Sequence, residues 1–235
     1  MQLFYNATLD TSISQFVFDA EESRHVTKVL RKKEGDILHI TNGKGYIFEA
    51  EIIDATLKKC KAQIVSTTKK HPERYWFHMV VAPTKSNDRF EWFLEKATEI
   101  GVNEITPIIC DHSERKTVKQ ERIQKVVQSA MKQSLQAFLP KVNDAMTYDQ
   151  FLEKQHSGLL FIAHCEDDEK ADLKRRVAAD TDITILIGPE GDFSRKEIKM
   201  AYEKGFVPVS LGQNRLRTET AGIVACTIVN TINNG

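Results

Sequence analysis

The sequence predicts an α/β protein whose larger, second part is a largely parallel sheet with helices on both faces. After residue 74, strand candidates and helix candidates alternate along the chain, which is the pattern of parallel strands joined by crossover helices. The first residues, to about position 70, hold mostly strand candidates. A polar, basic segment with a proline, Thr67–Arg74, reads as a linker between the two parts.

The first part is predicted to be mostly β, with one short helix. Its strand candidates are Gln15–Phe18, Ile37–Thr41, Tyr46–Ile53 and Lys61–Thr67. The turn sequence Asn42–Gly45 stands between two of these candidates and predicts a hairpin. The helix is expected around Glu22–Arg31, with Val26, Val29 and Leu30 buried.

The second part alternates strands with helices. The predicted strands are Trp76–Ala82, Glu104–Cys110, Leu159–Ala163, Ile183–Ile187 and Phe206–Leu211. Helices are predicted over residues 87–100, 119–138, 148–153, 170–178, 195–204 and 221–232, with Gly101 ending the first of them. The last helix is apolar on nearly all sides, so we expect it to be buried all round.

Composition excludes several classes of protein. The formal net charge is zero, so RNA binding would have to rest on local basic patches. The four cysteines are far apart without a C-x-x-C pair, which argues against a zinc site or a disulfide framework and fits a reducing compartment. No signal peptide begins the sequence, and no apolar run approaches the roughly 18 residues of a membrane span. We expect a cytoplasmic protein that needs neither metal nor membrane.

Two loops that follow predicted strands carry the strongest functional signal. Gly188–Ser194 follows one buried strand, and Gly212–Ala221 follows the next, so we expect both at the carboxyl ends of neighbouring strands, where open α/β sheets bind ligands. The first loop lacks the glycine spacing of phosphate-binding loops, and Pro189 removes an amide donor. An adenine with a neutral or cationic tail suits it better than a nucleotide phosphate. Taken alone, the first loop is more simply a turn.

The motifs in these loops resemble those of a known family. G-P-E-G-D-F-S-x-x-E at residues 188–197 and L-G-x-x-x-L-R-T-E-T-A at residues 211–221 are similar to the cofactor motifs of the SPOUT, or trefoil-knot, methyltransferases. Within them, the chain resembles the branch that methylates N3 of a uridine in 16S ribosomal RNA. Further matching segments lie at 25–36, 85–101, 113–115 and 133–134. Many members have a second glycine where this chain has Asp192, and an aspartate is tolerated but strained at positive φ.

The resemblance implies a PUA-like β-barrel at residues 1–70 that grips RNA. It implies a SPOUT trefoil-knotted α/β domain at 74–235 that binds S-adenosylmethionine and transfers its methyl group to the base. It further implies a homodimer whose interface contains the final helix. The expected partner is 16S ribosomal RNA within the assembled small ribosomal subunit.

Site residues are assigned through the same motifs. We expect cofactor binding by Ile187, Gly188, Pro189, Glu190, Gly191, Leu211, Gly212, Leu216, Thr218, Thr220 and Ala221. Arg217, Glu219 and Glu190 are the candidate catalytic residues, because uracil N3 must lose a proton before it attacks. Alternatively, Arg217 pairs with one of these glutamates to hold the loop. Candidate RNA contacts are Arg24, His25, Arg31, Lys85, Arg89 and Arg115.

Two rival functions stay open at this point. The first is methylation of a ribose 2′-OH of transfer or ribosomal RNA by a SPOUT relative, against which the barrel and the T-E-T-A motif argue. The second is a ribosome assembly factor that binds RNA without catalysis, against which the intact glycine loops argue. Mapping the methylated position tests the first rival, and cofactor titration tests the second.

Overall fold

The computed structural model describes residues 2–235, which form two compact units. One unit contains residues 2–72 together with Met131–Leu139, and the other contains Glu73–Ala130 and Pro140–Gly235. The mixed α/β class predicted from the sequence is confirmed. Sequence periodicity gave no sign that Met131–Leu139 belongs with the first unit, because its contacts are made with residues distant in the chain.

The first unit is a five-stranded sheet around an apolar core. Its strands are β1 (Leu3–Tyr5), β2 (Gln15–Val17), β3 (Ile37–Thr41), β4 (Tyr46–Asp54) and β5 (Lys61–Lys69), in the order β1-β3-β4-β5-β2. All pairings are antiparallel except that of β1 with β3. The four predicted strands are confirmed to within two residues. Strand β1 was missed because three residues are too few to show an alternating pattern.

The predicted short helix has two parts. Helix α1 (Ala20–Arg24) begins at Asp19, whose side chain accepts a hydrogen bond from Glu22 N, and a π-helical turn follows at His25–Val29. Val26 is fully buried, as predicted, but Val29 is 68% exposed, so that prediction was wrong. The π turn is wider than an α turn and rotates Val29 away from the core.

The hairpin between β3 and β4 holds the segment Met131–Leu139 within the first unit. Ala137 O accepts hydrogen bonds from Gly45 N and Thr41 Oγ1, both at 3.0 Å, and Leu139 N donates to Gly43 O at 2.9 Å. A Cβ on Gly45 would lie 2.5 Å from the Phe138 ring, and its φ is +92°. The predicted turn is therefore also a clasp, and glycine allows both the turn and the close approach.

The second unit is a parallel sheet, as predicted. Its strands are β6 (Phe77–Val81), β7 (Glu104–Ile109), β8 (Lys141–Val142), β9 (Met146–Thr147), β10 (Leu159–Ala163), β11 (Ala171–Asp172), β12 (Ile183–Ile187) and β13 (Val207–Ser210). The order is β11-β13-β10-β12-β6-β7-β8, with β9 paired to β7, and every pairing is parallel.

Helices α2 (Asn87–Ile100), α3 (Gln120–Gln133), α4 (Tyr148–Leu152), α5 (Arg195–Glu203) and α6 (Thr218–Asn234) complete the fold. One core cluster joins α4 and α5 to strand residues in register, among them Val80, Leu186 and Ile162. Helix α6 packs against α2, β6 and β12. Ser194 caps α5 with Glu197 in the predicted capping box, which is confirmed.

Two helix predictions need correction. Helix α3 ends at Gln133 rather than near residue 138, because Leu135 takes a left-handed conformation with φ +58°. The helix predicted over residues 170–178 is absent; β11 and a single 3₁₀ turn, Leu173–Arg175, lie there instead. Leu173 is the one deeply buried residue of this segment, so the segment has no apolar face to dock as a helix.

Helix α6 is not buried all round by its own chain. Its buried face consists of Thr218, Glu219, Gly222, Ala225, Cys226 and Val229. Val224 and Ile228 on another side are only half-buried, and Thr227 is exposed. The single chain therefore leaves an apolar strip of α6 accessible, and burial of the helix on all sides would need a second copy of the chain.

Candidate active site

Three loops meet at the carboxyl edge of the parallel sheet. Strand β10 lies between β12 and β13, so the two glycine loops do not follow neighbouring strands as predicted. The loop after β10, residues 164–170, stands between them. This loop leaves little functional signal in the sequence, because it contains no glycine and its acidic run resembles the solvated start of a helix.

These loops enclose two adjoining cavities. The larger, about 720 Å³, is lined by Ala163, His164, Cys165, Glu166, Asp167, Lys170, Asp192, Val209, Ser210, Leu211, Gly212, Gln213, Asn214, Arg215, Leu216 and Ala221. The smaller, about 260 Å³, is lined by Ala163, Cys165, Ile187, Gly188, Pro189, Glu190, Asp192, Arg215, Leu216, Arg217, Thr218 and Ala221. The two lining sets share six residues, so the cavities have a common wall.

Most residues expected at a cofactor site line one of these cavities. Gly191 and Thr220 line neither. A Cβ on Gly191 would lie 2.9 Å from the Cβ of His112, so this glycine is required by packing against a neighbouring loop. The motif thus combines residues that face the cavities with residues that only hold the loop in place.

The first glycine loop is hydrogen-bonded to helix α6 and to the segment just before helix α2. Thr218 Oγ1 donates a hydrogen bond to Gly188 O at 3.0 Å, and Lys85 N donates to Glu190 Oε1 at 2.9 Å. A Cβ on Gly188 would lie 3.0 Å from the Phe193 ring. Because these bonds involve short side chains and backbone groups, they hold the loop in one conformation.

Gly212 lines the larger cavity and has open space where a side chain would stand. Its φ is +137°, and a Cβ added there would meet no atom within 4 Å. Ser210 Oγ bonds both to Gly212 O and to Gly212 N, at 3.1 and 3.2 Å, and so holds this turn. Residues with side chains disfavour such a backbone conformation, and a side chain here would add atoms to the lining of the larger cavity.

Asp192 bridges the first glycine loop and the loop after β10. Its φ of +64° confirms that this position has the left-handed conformation in which a glycine would be unstrained. Its Oδ2 accepts a hydrogen bond from Cys165 N at 2.7 Å, and its Oδ1 accepts one from Phe193 N at 2.9 Å. The carboxylate thus stabilises a backbone that would otherwise be strained.

The three candidate catalytic residues differ in environment. Arg217 is exposed at the start of α6 and lines the smaller cavity. Among residues 2–235, no ion pair joins Arg217 to Glu219 or Glu190. Glu219 is only 7% exposed and lies 3.9 Å from Arg89 Nε, while its Oε2 is buried without a hydrogen-bond partner in the described chain. Glu190 lines the smaller cavity, and Glu219 does not.

The candidate RNA contacts are divided between exposed and engaged side chains. Arg24 and Arg31 are exposed in the first unit, and His25 lies 3.5 Å from Glu22. In the second unit, Arg115 is engaged internally, since it donates to Lys85 O at 2.7 Å and to Asn87 Oδ1. Arg24 and Arg31 are therefore more available to phosphates than Arg115.

A separate cavity of about 310 Å³ lies at the opposite, amino edge of the same sheet, and its lining includes His78 and Glu104. Burial lowers the pKa of His78 to about 4. Burial would raise the pKa of Glu104, but hydrogen bonds from Lys141 and Asn143, together with the nearby His78, lower it to about 2. These groups form a closed structural network, because Asn143 also bonds Thr106, the partner of His78.

Acidification is expected to destabilise the protein through His78. Between pH 6.5 and 4 this histidine is mostly protonated in the unfolded chain but mostly neutral in the folded chain. The free energy of unfolding therefore falls as the pH falls. At pH 5 the loss is about 2 kcal/mol relative to pH 7. Denaturant unfolding of a His78→Gln variant should show a smaller fall over this range; equal falls in variant and wild type would contradict the assignment.

Known proteins resemble this chain in both sequence and fold. A family model described as an RNA methyltransferase domain matches residues 71–230, and one described as an RNA methyltransferase PUA domain matches residues 18–65. The ribosomal RNA small subunit methyltransferase E of Buchnera aphidicola is 34% identical, over 95% of this chain and 90% of its own. A probable rRNA-methyltransferase from Porphyromonas gingivalis has a similar structure, with a TM-score of 0.91, 38% identity and coverage of 99% and 98% of the two chains.

A ribosomal RNA small subunit methyltransferase E from Neisseria gonorrhoeae, crystallised with S-adenosyl methionine, superposes with a TM-score of 0.87 at 27% identity, over 99% of this chain and 98% of its own. The fold is thus that of the RNA methyltransferases, with an amino-terminal PUA domain. The chain belongs to the ribosomal RNA small subunit methyltransferase E family.

Proposed function

We propose that this protein transfers the methyl group of S-adenosylmethionine to N3 of a uridine in 16S ribosomal RNA. The observation that carries this proposal is the pair of adjoining cavities at the carboxyl edge, built from the two glycine loops and the loop after β10. The relatives' names support a ribosomal RNA substrate, and the Neisseria structure supports the cofactor. Because the proposed substrate is ribosomal RNA, we infer that the protein is cytoplasmic.

The cavities fit this cofactor. Gly212 offers a backbone surface that any side chain would obstruct, as close approach of a ligand requires. Leu211 and Leu216 provide apolar surface for a purine ring, and Ile187 does the same in the smaller cavity. These side chains, together with the backbone around Gly188, would hold the adenosyl and methionyl parts.

When bound, S-adenosylmethionine supplies an electrophilic methyl group on a sulfonium sulfur. The protein's task is to orient uracil N3 toward that methyl and to manage the N3 proton. Glu190 lines the smaller cavity with Oε1 held by Lys85 N, so its carboxylate is the candidate proton acceptor. The Arg217 guanidinium at the same cavity would stabilise negative charge on the uracil oxygens. Glu219, in contrast, would orient the Arg89 side chain through its ion pair with it.

The two units would have different roles, one in RNA binding and the other in catalysis. We assign RNA gripping to the PUA-like barrel at residues 1–70, through exposed Arg24 and Arg31, and catalysis to residues 74–235. The trefoil knot is part of this proposal. It is supported by the family resemblance and by the position of α6, whose Thr218 bonds the Gly188 loop.

Nucleoside analysis of the RNA tests the reaction. Small ribosomal subunits lacking the modification, incubated with the protein and cofactor, should yield 3-methyluridine on digestion and mass spectrometry. A 2′-O-methylated nucleoside would identify the ribose methyltransferase, and no methylated product despite RNA binding would identify an assembly factor. Either result would contradict the proposed reaction.

Cofactor binding is expected to be independent of metal ions. Within residues 2–235, no group of three or more His, Cys, Asp or Glu side chains is arranged to hold a metal ion. Calorimetric titration with S-adenosylmethionine should give the same affinity with and without a chelator. Binding that disappears in chelator would contradict this expectation.

Within residues 2–235, no helix has the length and apolar character to cross a membrane.

We further propose a homodimer that covers the accessible strip of α6. Val224 and Ile228 are half-buried on a helix whose other side packs into the core, and a second copy would cover them.

A charge on this strip should separate the subunits. Val224→Glu is expected to sediment as a monomer at micromolar concentration, where the wild type is a dimer, because a buried charge without a partner is strongly unfavourable. Val65→Glu, at an exposed valine of β5, is the matched control and should remain dimeric. A folded, active wild-type monomer at this concentration would refute the homodimer.

A further inference from the structure

Asp192 occupies the common wall of the two cavities. The six residues that line both are Ala163, Cys165, Asp192, Arg215, Leu216 and Ala221. Asp192 is the only acid among them. Its carboxylate is fixed by the hydrogen bonds from Cys165 N and Phe193 N, whereas the Arg215 side chain is exposed and screened by water. The shared wall therefore presents one fixed negative charge.

The position of this charge matters because of the chemistry of the proposed cofactor. S-adenosylmethionine consists of an adenosyl half and a methionyl half, and the sulfur joins them. If two adjoining cavities each hold one half, the sulfur lies beside the wall that they share, whichever half each cavity takes. The sulfur is positively charged in S-adenosylmethionine and neutral in the product, S-adenosylhomocysteine.

We propose that Asp192 is a specificity-determining residue that faces the cofactor sulfur and selects the charged sulfonium over the neutral thioether of the product. This inference rests on the proposed function. Methyl transfer removes the positive charge from the sulfur, so the attraction to Asp192 ends with the reaction and the product leaves more readily. The attraction between the Asp192 carboxylate and a positive sulfur a few ångströms away acts on S-adenosylmethionine only, because the two ligands have the same charged groups apart from this sulfur.

The left-handed backbone at this position explains why an aspartate is compatible with the loop. Glycine is unstrained at φ +64°, and aspartate and asparagine are among the few other residues that tolerate it. The aspartate adds what glycine lacks, which is a tie to Cys165 and a negative charge. The two contributions can be separated, because a loosened loop weakens the binding of both ligands whereas a lost charge weakens only that of S-adenosylmethionine.

Calorimetric titration of the purified full-length protein with each ligand tests the inference. In Asp192→Asn, which keeps a side chain suited to the left-handed backbone, S-adenosylmethionine affinity is expected to fall roughly tenfold more than S-adenosylhomocysteine affinity. Asp192→Gly should show the same change in the ratio of the two affinities, with melting temperature recording any loss of fold. In the wild type, added salt should lower the ratio.

Asp180→Asn is the matched control. Asp180 also has a positive φ but lines neither cavity, so the same chemical change there should leave the ratio within about twofold of the wild type. Equal losses for both ligands in the two Asp192 variants would overturn the inference and leave Asp192 as a tie between loops. Failure of the wild type to bind S-adenosylmethionine would overturn the proposed function itself, which is a different result.

Discussion

Gly212→Val is expected to weaken S-adenosylmethionine binding by at least about a hundredfold, equivalent to roughly 2.7 kcal/mol, and so to abolish methylation at ordinary cofactor concentrations. Gly212 lines the larger cavity with φ +137°, and an added Cβ would meet no atom within 4 Å, so the space beside it is open. The valine side chain would occupy that space and would also strain the turn. Calorimetry and thermal melting together measure the two effects.

Gly205→Ala separates strain from obstruction. Gly205 also has a positive φ, +86°, with nothing within 4 Å of an added Cβ, but it follows helix α5 and lines neither cavity. An alanine there should lower the free energy of unfolding by about 1 kcal/mol without changing cofactor affinity. If Gly212→Val kept both a normal fold and normal affinity, the larger cavity would not be the cofactor site.

Arg217→Ala is expected to slow single-turnover methylation by two to three orders of magnitude, while cofactor affinity and melting temperature stay near their wild-type values. One donor aimed at charge that develops in a transition state typically contributes about this much. Arg217 is exposed and lines the smaller cavity, and it pairs with neither nearby glutamate, so its removal leaves no buried charge uncompensated. Arg217→Lys should also be impaired, because lysine lacks the planar fork.

Arg175→Ala serves as the control for loss of a single surface guanidinium. Arg175 is exposed, lies in the 3₁₀ turn after β11 and lines neither carboxyl-edge cavity. It should methylate at the wild-type rate. An Arg217→Ala protein that folds correctly and retains the full rate would exclude a catalytic role, whereas a parallel drop in melting temperature and cofactor affinity would make Arg217 a structural residue.

Local patterns predicted the elements that their own residues determine. Strand Ile183–Ile187 is a continuous apolar run before a glycine, and the capping box Ser194–Glu197 is a contact between near neighbours. Both therefore leave a signal that can be read in a short window. The end of α3 was mispredicted because a single left-handed residue, Leu135, stops the helix. The 170–178 segment was mispredicted because one buried leucine does not give it an apolar face to dock as a helix.

The parts of the site that are formed by sequence motifs were predicted, whereas the contacts between residues distant in the sequence were missed. The glycine loops were found, but the place of β10 between β12 and β13 depends on pairings among strands distant in the sequence. For the same reason, Cys165 and His112 were not foreseen beside Asp192. The proximity of Arg89 to Glu219 was not foreseen either, because Arg89 approaches it from another helix rather than from the same loop.

The clasp between the β3–β4 hairpin and residues 137–139 constrains the order in which the chain folds during synthesis. Ribosomes release the chain from its amino end, and an amino-terminal module normally folds as soon as it emerges. Here the partners of Thr41, Gly43 and Gly45 lie far downstream, beyond residues that belong to the other unit. The first unit therefore reaches its final form only after residue 139 has left the exit tunnel, and a nascent chain paused before that point carries an incomplete first unit.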